Sequence, residues 1–110
     1  MKNFLQPGQT LAVLAPYNVA SGQGVQVGAL FGVAAGDALQ GTPVEICRTG
    51  VYSLGAVSAD TGVTGDKAYW DNTNRRVTKT ATNNTLVGAL AAAKSGTEGT
   101  AAVLLDGVIR

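Results

Sequence analysis

Apolar and polar residues alternate along most of this chain, in short runs divided by glycine. The clearest run is GVQVGALFGV, 24–33. There Val25, Val27, Ala29, Phe31 and Val33 fall on one face, and Gln26, Gly28, Leu30 and Gly32 on the other. That is the period of a strand, not of a helix. Glycines on the second face predict a bulge or the close approach of another backbone. Further strands are expected at 9–16, ended by Pro16, at 42–48 with Val44 and Ile46 facing one way, and at 50–57 with Tyr52 and Leu54 facing one way. Segments 65–71 and 75–80 read as a hairpin joined by Asn72, Thr73 and Asn74. The last strand, Ala101 to Leu105, is apolar on both faces, which predicts cover from both sides by a second sheet or a neighbouring subunit.

One segment is ambiguous. The alanines of TLVGALAAAKSG, 85–96, favour helix, with Gly96 as its stop, but Gly88 would cost such a helix about 1 kcal/mol. The alternation of Leu86, Gly88 and Leu90 with Val87 and Ala89 favours a strand over 86–90 and an alanine turn after it. The fold expected is therefore all-β, a small barrel or sandwich in a single domain, with one short helix near 86–95 as the alternative. Residues 1–9 read as an extended arm ahead of a β domain over 10–110, and no repeat or linker is visible.

Composition narrows the function. The chain has 110 residues, a size that suits one domain. Charged residues are 14%, against about 25% in ordinary soluble proteins, so its surface suits contact with other protein. The net charge is +1 and the cations are scattered, apart from the Arg75–Arg76 pair, which argues against a nucleic-acid binder. There is no histidine, which removes the His-dependent nucleophile systems and most zinc and iron sites. The one cysteine, Cys47, rules out an internal disulfide and fits a reducing compartment. No run reaches the ~18 apolar residues of a membrane helix, and the first residues do not resemble a signal peptide, so a soluble protein is expected.

Candidate chemistry is thin. GDALQGTP, 36–43, has the glycine spacing of a phosphate loop, but Thr42 and Pro43 follow Gly41 where lysine should grip the phosphates. GQGVQVG, 22–28, lacks the third glycine of a dinucleotide loop and runs into a strand. Cys47 has no base beside it in sequence. Asp60, Asp66 and Asp71 flank turn residues, where aspartate bonds the local backbone. No catalytic residue, cofactor or metal site is expected.

AYWDNTNRRVTKT, 68–80, could be a nucleic-acid surface or part of a core and contact. Neighbours in a strand point to opposite faces, so Tyr69 and Trp70 cannot form one stacking platform, and Arg75 and Arg76 are split likewise. One ring is core. The other, near arginine, is expected at an oligomer or partner contact.

The order of FLQPGQTLAVLAP, GVQVGALFGVAAGDALQG, GVYSL, GDKAYWD and LVGALAAAKSG running to AAVLLDG resembles the phage capsid cement or capsid fibre family, whose members are often labelled predicted phage recombinases. The resemblance implies a mostly β virion protein on the outer head surface, assembled in the host cytoplasm, that braces the shell without catalysis. It implies a homo-oligomer, with a trimer favoured over a dimer, and the major capsid protein as partner, without nucleic acid or membrane. Phe4, Leu5, Tyr69, Trp70, Arg75 and Arg76 are the candidate oligomer or capsid contacts, Phe4 and Leu5 being the anchors of the arm. A head-fibre or tail component is the alternative, and a nucleic-acid-binding phage protein the second; the missing phosphate-loop lysine gives the recombinase label no support.

Overall fold

The computed structural model describes residues 9–107, so the expected arm, with Phe4 and Leu5, lies outside the described residues apart from Gln9. Among the described residues the chain is all strand: β1 Thr10–Leu14, β2 Gly24–Val27, β3 Leu30–Ala34, β4 Pro43–Cys47, β5 Thr49–Gly55, β6 Lys67–Asp71, β7 Arg76–Thr78, β8 Thr85–Leu90 and β9 Thr100–Asp106. They form two antiparallel sheets, in the orders β1-β4-β3-β2 and β5-β9-β8-β6-β7. The segment 86–95 is a strand followed by turns, with no helix.

The two sheets share one topology. With β1, β2, β3 and β4 laid on β5, β6, β8 and β9, the strand orders coincide, and β7 is an addition to the second half. The backbone bonds between strands coincide too. Ala15 N–H donates to the Thr42 carbonyl at 2.8 Å as Ala56 N–H donates to Gly99 at 2.9 Å. Gly22 N–H bonds Ala34 O, and Ala34 N–H bonds Gln23 O, as Gly65 bonds Leu90 and Leu90 bonds Asp66. Ala35 N–H bonds Glu45 O as Ala91 bonds Ala102. The loop pair Val19↔Ala38 recurs as Gly62↔Lys94, each a reciprocal two-bond bridge. Gly22 and Gly65 hold the same turn position at φ +89° and +95°, a conformation that favours glycine. The chain is thus built of two like four-stranded halves.

Inward residues correspond as well. Val44 and Ile46 of β4 match Ala101 and Val103 of β9, and Val25 of β2 matches Ala68 of β6; all are buried. Gly32 and Gly88 match, and each lies against the backbone carbonyl of the neighbouring strand, Cys47 O and Leu104 O, where a Cβ would collide. This is the close approach expected at Gly32. The second sheet curls until β7 meets the end of β5: Val57 N–H bonds Val77 O at 2.9 Å, and Ala56 bridges Val77 in parallel. Leu54, Trp70, Val77, Val87, Leu90, Val103 and Leu105 fill this barrel, with Val33 from the first half in the same core. Tyr17, Val19, Val25, Val44 and Ile46 make a second core within the first half.

Three sequence expectations change. The run 24–33 is not one strand but β2 and β3, paired Val27↔Leu30 around Gly28, which has φ +58° and suits the first position of a two-residue hairpin turn. The hairpin sends Val25 and Val27 to the first-half core, while Phe31 and Val33 face the barrel. The β6–β7 connection includes Arg75, at φ +54°, because Asp71 pairs with Arg76. Among the described residues β9 is covered on the face of Ala101, Val103 and Leu105 alone, so no second sheet covers its other face, where Leu104 is 48% exposed.

Candidate interaction surface

The structure separates the residues singled out in 68–80. Trp70 points into the barrel and is 2% exposed; its ring lies 5.0 Å from Phe31, tilted by 51°, and its Nε1 donates to Asn72 Oδ1 at 3.1 Å. A Cβ on Gly24 would come within 2.6 Å of that ring, so glycine there lets the first half sit directly on the indole. Tyr69 lies half-buried on the opposite, outward face. Arg75 stacks over the Tyr17 ring at 3.6 Å and clasps the two halves together. Arg76 is exposed opposite Asp71. The Asp71 carboxyl is held below its usual range by the Asn74 side chain first, then by turn N–H groups and the Arg76 charge.

Lys94 was not singled out in the sequence, where it stands in the polar stretch KSGTEG. Its side chain is buried, 6% exposed. The ammonium donates to three main-chain carbonyls, Asp60 at 2.6 Å, Ser95 at 3.1 Å and Ser58 at 3.2 Å, which uses all three of its donors. Beside it, the Asp60 carboxylate accepts from Thr78 Oγ1 at 2.9 Å and Lys79 N–H at 3.0 Å. Burial alone would raise the Asp60 pKa; those two donors and the Lys94 and Lys79 charges outweigh it and hold the group below its usual range. The pair ties the loops at one end of the barrel to β7. Lys79 also bonds Asp66 at 3.1 Å. The cations thus serve separate local partners, and among the described residues no group of three or more His, Cys, Asp or Glu stands together to hold a metal.

What the outward face of the second half offers is apolar area. Leu104 pairs with Val51 on one side and Ala89 on the other, and Ala89 pairs with Lys67. Val51 is 58% exposed and Leu104 48%. A shallow groove of about 310 Å³ runs along Leu86, Ala89 and Leu104. Single exposed apolar residues are ordinary; here two of them lie side by side on paired strands. The sequence named Tyr69 and Trp70 without deciding which ring faces out, and Val51 and Leu104 were missed. The signal was there, in the two-sided apolar run of β9.

The family model for phage cement proteins matches residues 5–105. The chain belongs to the phage cement protein family. It is therefore a structural component of the phage capsid, and its family is not a class of enzymes. No curated protein and no solved structure matches the chain.

Proposed function

We propose that the chain decorates the outer surface of the phage head as a homo-oligomer, a trimer in preference to a dimer, and cements neighbouring capsomers by contacts with the major capsid protein. The family match over 5–105 carries this reading. The low charge and the exposed Val51–Leu104 row support it, because contact cores are depleted of charge. Tyr69 and Arg76 rim the contacts, and the segment 1–9, with Phe4 and Leu5, lies along the capsid or a neighbouring copy. Trp70 acts from inside, by holding the barrel and the first half together.

The mechanism is additive area. A stable contact buries about 1,600 Å² in total. An oligomer repeats its contact on each subunit, so one bound subunit raises the effective concentration of the next at its own site. Pressure from packaged DNA must then break several contacts before capsomers part. Heads assembled with and without the protein and heated test this by DNA release. Heads lacking it rupture at lower temperature; equal robustness refutes cementing. Cryo-microscopy of virions distinguishes the head surface from a fibre or tail position.

A further inference from the structure

The two halves share a topology but not an environment. On the outward face of the first half, Gly24, Val33 and Cys47 form one cross-strand row. The second half covers it: Val33 is 3% exposed within the barrel core, Gly24 lies under the Trp70 ring, and Tyr52 reaches Cys47. The corresponding row of the second half is Lys67, Ala89 and Leu104, continued by Val51. That row stands open, with Leu104 and Val51 about half exposed.

The covering groups in the first case are Trp70, at the end of β6, and Tyr52, in β5. Their counterparts in the first half are Val27, at the end of β2, and Leu11, in β1; both are apolar and only half-buried. We propose that the first half of a second copy, presenting Leu11 and Val27, seats on the Ala89–Leu104–Val51 row of the first copy. The contact between chains then repeats the contact that joins the halves within one chain. This rests on the reading of the chain as a self-associating cement and names the surfaces it uses. The two surfaces differ, so the contact is heterologous: copies add head to tail and close into a ring when the rotation permits. Lys67 is the charge at the margin of the row, where its ammonium stays in water.

The test is light scattering and sedimentation of the full chain. Leu104→Glu and Val51→Glu are expected to be monomeric, while Leu39→Glu, at a position 68% exposed elsewhere on the surface, keeps the wild-type oligomer. Leu11→Glu removes the opposite surface and is also monomeric; if it unfolds, as read by Trp70 emission, Leu11→Asn replaces it. An equimolar mixture of the Leu104 and Leu11 variants recovers pairs, because one retains the row and the other the end that seats on it. A monomeric wild type, row variants that associate like wild type, or a mixture that stays monomeric each overturns the proposal. If Leu104→Glu keeps its oligomeric state but no longer binds heads, the row belongs to the capsid protein: the seating of a second copy is then wrong, while the cement reading stands.

Discussion

Replacing Lys94 by methionine keeps the length of the side chain and deletes its charge, so it isolates the three bonds the ammonium makes with the carbonyls of Ser58, Asp60 and Ser95. Two effects oppose. Burying an ammonium costs several kcal/mol, which the variant recovers. Against that, each bond to a charged donor is worth about 1.5–3 kcal/mol net, and each buried carbonyl left without a partner costs about 1–3 kcal/mol; the Ser95 carbonyl keeps a long bond from the Glu98 N–H at 3.5 Å. Replacing a buried ionic group can be harmless when all of its partners are replaced together. That escape is closed here, because the acceptors are main chain and remain. The Asp60 carboxylate also loses a favourable charge. The expected loss is about 3–5 kcal/mol, the range for breaking a buried pair from one side. In a domain of this size that is a fall in Tm of about 10–20 °C. Urea unfolding followed by Trp70 fluorescence reads it as a lower midpoint at unchanged slope. A loss below about 1 kcal/mol would refute the reasoning, since it would mean that water replaces the ammonium without cost.

Gly32 and Gly88 hold matching positions against the carbonyls of Cys47 and Leu104, so Gly32→Ala and Gly88→Ala should both destabilise, by at least the ~1–3 kcal/mol of an overpacked core, with Gly88→Ala the worse because its Cβ would overlap the Leu104 carbonyl far more deeply than that of Gly32 overlaps the Cys47 carbonyl. Melting temperatures check the order, and a neutral Gly88→Ala would count against the close strand approach. Asp60 titrates lower in the folded chain than unfolded, so the unfolded state binds more protons near its usual pKa of about 4. Its stabilisation is therefore present above that pH and lost as pH falls through the folded value. The stability gap between wild type and Asp60→Asn should be widest at neutral pH and close in acid; a gap independent of pH would show that the carboxylate charge is not used.

Much of the fold was legible because strands announce themselves by alternation and glycine. Val44 with Ile46, and Tyr52 with Leu54, face their cores as read. The hairpin at Gly28 was not legible, because a two-residue turn interrupts a run of apolar residues without breaking its apparent period; only the φ of Gly28 distinguishes a fold-back from a continuation. The duplication was hidden for a different reason. GVQV corresponds to KAYW, and PVEIC to TAAVL, so what the halves share is backbone hydrogen bonding and burial, not side chains. One inner position shows how far the chemistry has moved: Ala38 in the first half corresponds to Lys94 in the second. Lys94 was unreadable as buried because its acceptors are carbonyls, which carry no residue identity. For the candidate surface, the alternation of Tyr69 and Trp70 showed that one ring faces out but neither which one nor the Ala89–Leu104–Val51 row on that face, since cross-strand neighbours are set by register.

The difference between the halves bears on how an adhesive protein stays selective. In the second half, β7 covers the edge of β6 and returns to β5, so that side of the sheet is closed. Among the described residues the first half has no such strand beside β2. Its place is taken by Tyr17, whose hydroxyl donates to the Gly24 carbonyl at 2.8 Å and accepts from the Gln26 backbone, with Arg75 stacked on the ring. Burial raises the pKa of that phenol, so it remains a donor throughout the neutral range. An open strand edge pairs with almost any extended chain, because main-chain groups do not discriminate. A face of side chains discriminates by shape and register. A tyrosine on the β2 edge and a whole strand on the β6 edge therefore keep those two edges from pairing with stray chains, while β1 still ends its sheet among the described residues; under the reading proposed above, selectivity then falls to the side-chain faces.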